Sequence, residues 1–364
     1  MSTRTDLARE IAVLLTCADF AQLPTAWGAV LGAGRLRAAP ADFFVSEHTG
    51  VQLSGEGEHV YVQLRKTGQN TRWVAKRLAE FAALPYKSVS YAGLKDRHAV
   101  TEQWFSLHLP GAAEPDWSRL ALEGVQLLRA GRHHRKLRQG QLSYNHFRLR
   151  VRDCELAAPE MLDARLQRIA KWGVPNYFGP QRFGRDLNNL KRILTQPDLR
   201  RLGRESRGFV LSALRSALFN GYLARRVAGE NWLEPLPGEA MLSDRPRGVA
   251  EDDASVFRPE RLPAAMLWGR DAGGSGDAVR ELEAKWFGQF PSVCAALQGA
   301  GARMSRRVMR ARVGNLRWGY DRGDLQLEFV LGPGVFATAL LAEVVAAEDC
   351  ALSLMEEDSN AGNT

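Results

Sequence analysis

Tyr91-Ala-Gly-Leu-Lys-Asp-Arg-His-Ala-Val-Thr-Glu-Gln-Trp104 is the stretch on which the reading of this chain turns. Just before it, residues 88–91 have the β-branched and aromatic content of a short strand. After it, Gln103, Phe105, Leu107 and Leu109 alternate with Trp104, Ser106 and His108, the period of two expected of a half-buried strand. Asp96 lies on the loop between these runs, flanked by Lys95, Arg97 and His98. A single carboxylate presented from a rigid strand pair, and kept ionised by neighbouring cations, suits nucleophilic or general-base chemistry. An acid in a loop also serves simply to close a turn, and the loop alone leaves both readings open.

Outward from this loop the chain alternates strands with one helix. Val60, Val62 and Leu64 alternate with Tyr61, Gln63 and Arg65 in a strand, and Asn70 or Thr71 can cap a helix carrying Val74, Leu78 and Phe81 until Pro85 stops it. Phe147, Leu149 and Val151 alternate with Arg148, Arg150 and Arg152, a strand with one basic face. Residues 1–30 predict a short helix and an irregular lead-in. Beyond residue 158, Leu162, Leu166 and Ile169 form a helical stripe that Gly173-Val-Pro-Asn-Tyr-Phe-Gly-Pro-Gln-Arg-Phe-Gly184 interrupts. Residues 185–227 are helix-forming and arginine-rich, residues 231–277 predict loops with short strands, and alternation returns at Leu325, Leu327 and Phe329. Sheet-like ends around a helical, loop-rich middle predict an inserted domain.

The 364 residues suffice for two domains, and 45% hydrophobic with 25% charged residues is an ordinary globular composition. The formal charge of +8, from 49 Lys and Arg against 41 Asp and Glu, favours a polyanionic partner. Cys17, Cys154, Cys294 and Cys350 have neither metal-ligand nor disulfide spacing, and His133-His134 lacks partners at such spacing. No metal site is expected. The apolar run at residues 11–15 is too short for a signal peptide and no run reaches membrane-spanning length, so a cytoplasmic protein without membrane contact is expected. Asp252-Asp253 and Glu356-Glu357-Asp358 are expected to be solvated acidic runs, and residues 356–364 a frayed end. Gly332-Pro-Gly-Val-Phe-Ala337 fits a dinucleotide-loop pattern, but Pro333 removes a needed backbone N–H and the chain after it is expected to be too short for such a fold.

Basic residues cluster three times. Arg129, Arg132, His133, His134, Arg135, Lys136 and Arg138 fall together, Arg303, Arg306, Arg307 and Arg310 have the spacing of one helix face, and Arg182, Arg185, Lys191 and Arg192 lie near Tyr177, Phe178 and Phe183. Any one run fits a solvated face; three together point to nucleic acid, with Arg132, Arg135, Lys136, Arg306 and Arg310 as candidate RNA-backbone contacts.

The stretch around Asp96 resembles the active-site signature of the TruD family of tRNA pseudouridine synthases, and residues 174–184 resemble that family's second signature. Arg35-Leu-Arg-Ala-Ala-Pro-Ala-Asp-Phe43, Asn145-His-Phe147 and Gly334-Val-Phe-Ala-Thr338 resemble three further elements in the same order. The resemblance runs from about residue 25 to 350 and leaves the first 25 residues outside. It implies that Asp96 is the catalytic aspartate and that Phe43, Asn145 and Phe336 line a uridine pocket. It further implies that Phe147 packs on the target base, and that Arg37 is the basic residue near the acid. It implies isomerisation of uridine to pseudouridine at position 13 of tRNA, with no metal, cofactor or energy source. The expected fold is α/β (α+β): a catalytic domain with a mixed, mainly antiparallel sheet from residues 1–172 and 311–364, and a mostly helical insert at 173–310. A monomer is the expected state. Two alternatives stand beside this: a synthase acting on another RNA, and a non-catalytic RNA-binding or RNA-folding protein in which Asp96 is structural.

Overall fold

The computed structural model describes residues 4–244, 260–271 and 276–351, and the acidic runs at 252–253 and 356–358 and the end at 356–364 lie outside them. Strand β7 (Tyr144–Leu156) is the axis of the fold. Phe147, Leu149 and Val151 are buried on one face while Arg148 and Arg150 are exposed on the other, as the alternation requires. One edge of β7 carries two strands in succession. Strand β1 (Gly32–Leu36) pairs antiparallel with its C-terminal half and β2 (Phe43–His48) with its N-terminal half. Strand β14 (Asp324–Leu331) takes the other edge, followed by β13 (Val313–Asp321).

Beyond β2 lie β5 (Val100–His108), parallel to it, then β3 (His59–Thr67) and β6 (Val125–His133). Strand β4 (Val89–Tyr91) pairs with β5, and β15 (Ala346–Asp349) runs parallel to β1. The ten-stranded sheet is therefore mixed and mainly antiparallel. Because β5 is interior, Trp104 and Ser106 are buried along with Gln103, Phe105 and Leu107, so the expected half-buried strand is covered on both faces. The second cover is a small cluster in which Tyr61 and Trp104 meet Leu137 and Leu142.

Helix α2 (Thr71–Phe81) begins where the Asn70 side chain accepts the Trp73 N–H, and it buries Val74 and Leu78 against Val60, Val62 and Phe105. Helices α3 (Leu162–Trp172) and α8 (Ala337–Leu341) cover Phe147, Leu149, Val151, Leu325, Leu327 and Phe329.

A second core lies between helices α4 (Asn188–Thr195), α5 (Arg204–Ala228) and α7 (Pro291–Gly299). Helix α6 (Asp277–Phe287) adds Trp286 and Phe287. Helix α1 (Arg4–Ala18) belongs to this body too: its Leu7, Ile11 and Leu14, one helix face, are buried among residues of α5 and α7. The expected grouping of residues 1–30 with the sheet is thus corrected for this helix. The second body also holds a three-stranded sheet of β9 (Met241–Ser243), β10 (Arg261–Leu267) and β11 (Ser305–Val308), the first two where short strands were expected. The chain passes between the bodies along β8 (Val174–Pro175) and β12 (Arg310–Ala311), which pair antiparallel. Gly173 permits this close crossing: its φ is +73°, and a Cβ there would lie 2.2 Å from the Ala311 carbonyl oxygen.

The lead-in is tied to the sheet body by buried Glu343, whose carboxylate accepts the N–H groups of Ala26 at 2.9 Å and Trp27 at 3.1 Å. Burial pushes this carboxyl up to about 7 from an ordinary 4.5, against the pull of those N–H groups and of Arg165. Between those pH values the native state holds a proton that the unfolded chain has released, so stability falls as pH rises from 4.5 to about 7. Glu343→Gln is expected to flatten that fall, as read by melting temperature across the interval; an unchanged slope refutes it.

Candidate active site

Between β1 and β2 the chain shifts along the edge of β7, and Arg37 makes the shift with a left-handed φ of 58°. A non-glycine residue in this region is strained by about 1–3 kcal/mol and persists only where its surroundings impose it. Here the side chain is held at both ends. Its Nη1 donates to Asp96 Oδ2, while Nε donates to Asp349 Oδ1 at 2.8 Å and Nη2 to Asp349 Oδ2. Asp349 arrives by the parallel pairing of β15 with β1, which sets it opposite Leu36. The guanidinium also lies 5.1 Å from the Phe43 ring centroid.

Asp96 occupies the expected loop, between β4 and β5. Its Oδ1 accepts the His98 N–H at 3.1 Å, and its Oδ2 accepts a second side-chain donor, Gln181 Nε2, at 3.1 Å. The loop is braced from beneath. Thr71 Oγ1 accepts the Lys95 N–H and donates to Gln103 Oε1, and Gln103 Nε2 donates to the Gly93 carbonyl. Lys66, 1% exposed, donates from Nζ to the carbonyls of Gln69 at 2.7 Å and of Asp96 itself at 2.6 Å. Burial pushes the Lys66 amine down to about 8, although the Asp96 charge opposes the shift.

Of the cations expected near Asp96, its loop neighbours are not on its carboxylate, and Arg37 is. Lys95 pairs with buried Glu47, Arg97 Nε donates to the Gly68 carbonyl, and His98 contributes its backbone N–H. The counter-ion is Arg37. Sequence neighbours of a loop residue diverge in direction, whereas the pairing of β1 and β2 on one edge carries Arg37 across 59 positions.

Phe43, Phe147 and Asn145 share the face of β2 and β7 nearest this pair. The Phe43 and Phe147 rings meet edge to face at 6.3 Å, and Phe147 stacks on Phe329 at 5.3 Å. Asn145, two residues along β7, has a buried Oδ1 without a hydrogen-bond partner among the described residues. Phe336 belongs to the opposite wall, 6.4 Å from Phe178, with Gly179 against its ring. Asn220 pins that wall, accepting the Phe178 N–H at 2.8 Å and donating to the Phe178 carbonyl at 3.1 Å. Gln181, Lys66 and Asp349 were not singled out from sequence. Gln181 lies within the second signature, but nothing local distinguishes Lys66 or Asp349.

The candidate RNA-backbone residues divide. Arg135 and Lys136 are exposed. Arg132 donates to the carbonyls of Gly57, Leu109 and Ala112 and pairs with Glu114, a bracing role. The stretch carrying Arg306 and Arg310 is not a helix; it forms β11 and β12, where Arg306 pairs with Glu283 and Arg310 with Glu260. Helical spacing of arginines alone was misleading, because pairing with β10 and β8 supplies the backbone hydrogen bonds instead.

Among the described residues, no cluster of His, Cys, Asp and Glu could hold a metal ion, and no helix is long and apolar enough to cross a membrane. The pattern of the family described as tRNA pseudouridine synthase D (TruD) matches residues 30–196. Relatives named tRNA pseudouridine synthase D include one from Aeromonas salmonicida, 40% identical over 352 residues, covering 94% of this chain and 99% of that one. Another, from Pseudomonas aeruginosa, is 43% identical over 331 residues, covering 88% and 93%. The fold is similar to a crystal structure named for tRNA pseudouridine synthase D (TruD) from Methanosarcina mazei, with a TM-score of 0.65 at 20% identity, covering 88% of this chain and 95% of that one. With such identity sustained over nearly its whole length, the chain belongs to the TruD family of tRNA pseudouridine synthases.

Proposed function

We propose that this protein isomerises uridine to pseudouridine in tRNA, at position 13, with Asp96 as the nucleophile or base. The observation that carries the reading is the Asp96 carboxylate, held by Arg37 from the sheet and by Gln181 from the second signature, beside aromatic walls and the unpartnered amide oxygen of Asn145.

The reaction breaks the N1–C1′ bond, turns the uracil, and joins C5 to C1′; the proton on C5 is lost and N1 gains one. An ionised carboxylate serves two routes, attack on C1′ or removal of the proton on C2′, and Arg37 Nη1 donates to its Oδ2. The detached uracil must stay in place while it turns, a task suited to a pocket lined by Phe43, Phe147 and Phe336. Phe147 is already packed between Phe43 and Phe329, so it supports the base through Phe43 as much as by direct contact. Asn145 can accept from the uracil N3–H and donate to a uracil carbonyl. The target nucleotide must leave its stack, at a cost of about a few kcal/mol, which binding of phosphates elsewhere on the tRNA offsets. The exposed Arg135 and Lys136 are suited to such contacts, whereas Arg306 and Arg310 are neutralised where they stand. The protein acts as a monomer in the cytoplasm on this reading, and needs no cofactor.

Asp96→Asn is expected to lower pseudouridine formation by at least about 10³-fold while leaving tRNA affinity within a few-fold. Carbodiimide mapping across cellular RNA locates the site; a product at another uridine moves the substrate assignment, and full activity in the variant leaves an RNA-binding protein. Lys66 generates a second expectation. As pH rises through about 8 its ammonium loses the charge behind Asp96, so turnover should decline along an alkaline limb. Lys66→Met is expected to turn over about 10-fold or more slowly at neutral pH and to lack that limb, with KM for tRNA little changed. The same alkaline limb in both proteins refutes a role for Lys66.

A further inference from the structure

Most buried arginines in this protein face a carboxylate: Arg226 pairs with Glu239, Arg306 with Glu283, and Arg37 with Asp96 and Asp349. Arg215 has none, but it spends its donors on three carbonyls and the Ser305 hydroxyl. Arg307 likewise spends its donors on neutral oxygens, and Arg182 follows neither pattern. Both guanidiniums lie over one ring, Phe178, at 4.0 Å for Arg307 and 5.1 Å for Arg182, and Arg182 is also 6.0 Å from the Phe336 ring. Arg307 donates to the Asn176 carbonyl at 3.2 Å, to Asn176 Oδ1, and to the Gly334 carbonyl at 2.9 Å, all neutral acceptors. Among the described residues Arg182 donates only to Ser212 Oγ, at 3.1 Å, and its buried Nε has no partner. Among the described residues no carboxylate pairs with either. Burial lowers the proton affinity of both side chains, and the Arg182 charge lowers that of Arg307 further.

Two desolvated, mutually repelling cations are unfavourable unless an anion completes them. Their position decides which anion. Arg182 follows Gln181, whose amide is on Asp96, and both arginines adjoin the segment that carries Phe336. We infer that Arg182 and Arg307 bind one phosphodiester of the RNA strand carrying the target uridine, next to the extruded nucleotide. This rests on the function proposed above and adds the group recognised on the second wall. A guanidinium fork matches two phosphate oxygens, and the unused Arg182 donors are of that type.

The test reads binding separately from chemistry. Wild-type protein is first shown to form pseudouridine in the chosen tRNA; failure there overturns the proposed function and not the phosphate site. Full-length Asp96→Asn protein, with and without Arg182→Gln, is then titrated with that tRNA over a range of salt. Arg182→Gln is expected to weaken binding about 10-fold and to reduce the salt slope by about 0.7–0.9, one phosphate's worth. Arg182→Lys should keep the slope. Replacing single phosphates beside the target by neutral methylphosphonates should identify one linkage whose loss weakens binding only when Arg182 is present. Without an anion, Arg182→Gln should melt no lower than its parent. An unchanged slope, or methylphosphonate penalties equal in the two proteins, overturns the inference, also where inorganic phosphate alone raises the melting temperature of the protein retaining Arg182.

Discussion

The contact between Arg37 and Asp96 is the constraint around which the rest of this site is arranged. Both side chains are largely out of water, 6% and 17% exposed, where a charge without its partner costs about 3–5 kcal/mol. The fold accepts a left-handed backbone at Arg37 to place that cation, and brings Asp349 from the far end of the described chain to orient it. Asp349 also takes two of the guanidinium's three nitrogens, leaving Nη1 for Asp96. One cation is thus shared by two carboxylates, Asp96 and Asp349.

The second donor on Asp96 changes what the two bodies are for. Gln181 belongs to a segment packed on the helical core through Tyr177, Phe178 and Phe183, while Arg37 belongs to the sheet. The acid is thus completed from both sides, and the paired crossings β8 and β12, with Gly173 against Ala311, fix their spacing close to the site. On the proposed function a nucleotide entering here meets Phe43 and Asn145 on strands and Phe336 beside Phe178. The rigidity comes from the strands and from Asn220, not from the loops themselves.

Much of this was legible in residue patterns, and the limits of legibility have physical causes. Strand β7 shows its buried face through Phe147, Leu149 and Val151, and α2 announces its start at Asn70, because local hydrogen bonding and one-sided burial leave periodic marks. The interior position of β5 left no such mark on Trp104 or Ser106, since their cover comes from Leu137 and Leu142, thirty or more positions away. Arg303, Arg306, Arg307 and Arg310 satisfied helical spacing, yet spacing among charges says nothing about which backbone partner is available. Among the site residues, Asp96, Phe43, Asn145 and Phe336 were reached through a family resemblance and not through periodicity. Asp349 and Lys66 owe their roles to pairing and burial, which only the assembled fold specifies.

The same reasoning changes what the net charge of +8 means. A count of arginines treats every guanidinium as available to a polyanion, but Arg132, Arg215, Arg226, Arg306 and Arg312 are spent on carbonyls or carboxylates inside the protein. Affinity for RNA depends on the cations left over, and these are of two kinds. Exposed residues such as Arg135 and Lys136 are solvated and interchangeable, and on the proposed function they supply long-range attraction that salt screens. Arg182 and Arg307 are desolvated and oriented over an aromatic ring, Arg182 next to the Gln181 that donates to Asp96, so an anion bound there would be positioned as well as attracted. On the proposed function that second kind matters most: a ribose must be set against one carboxylate oxygen, and diffuse charge cannot supply the register.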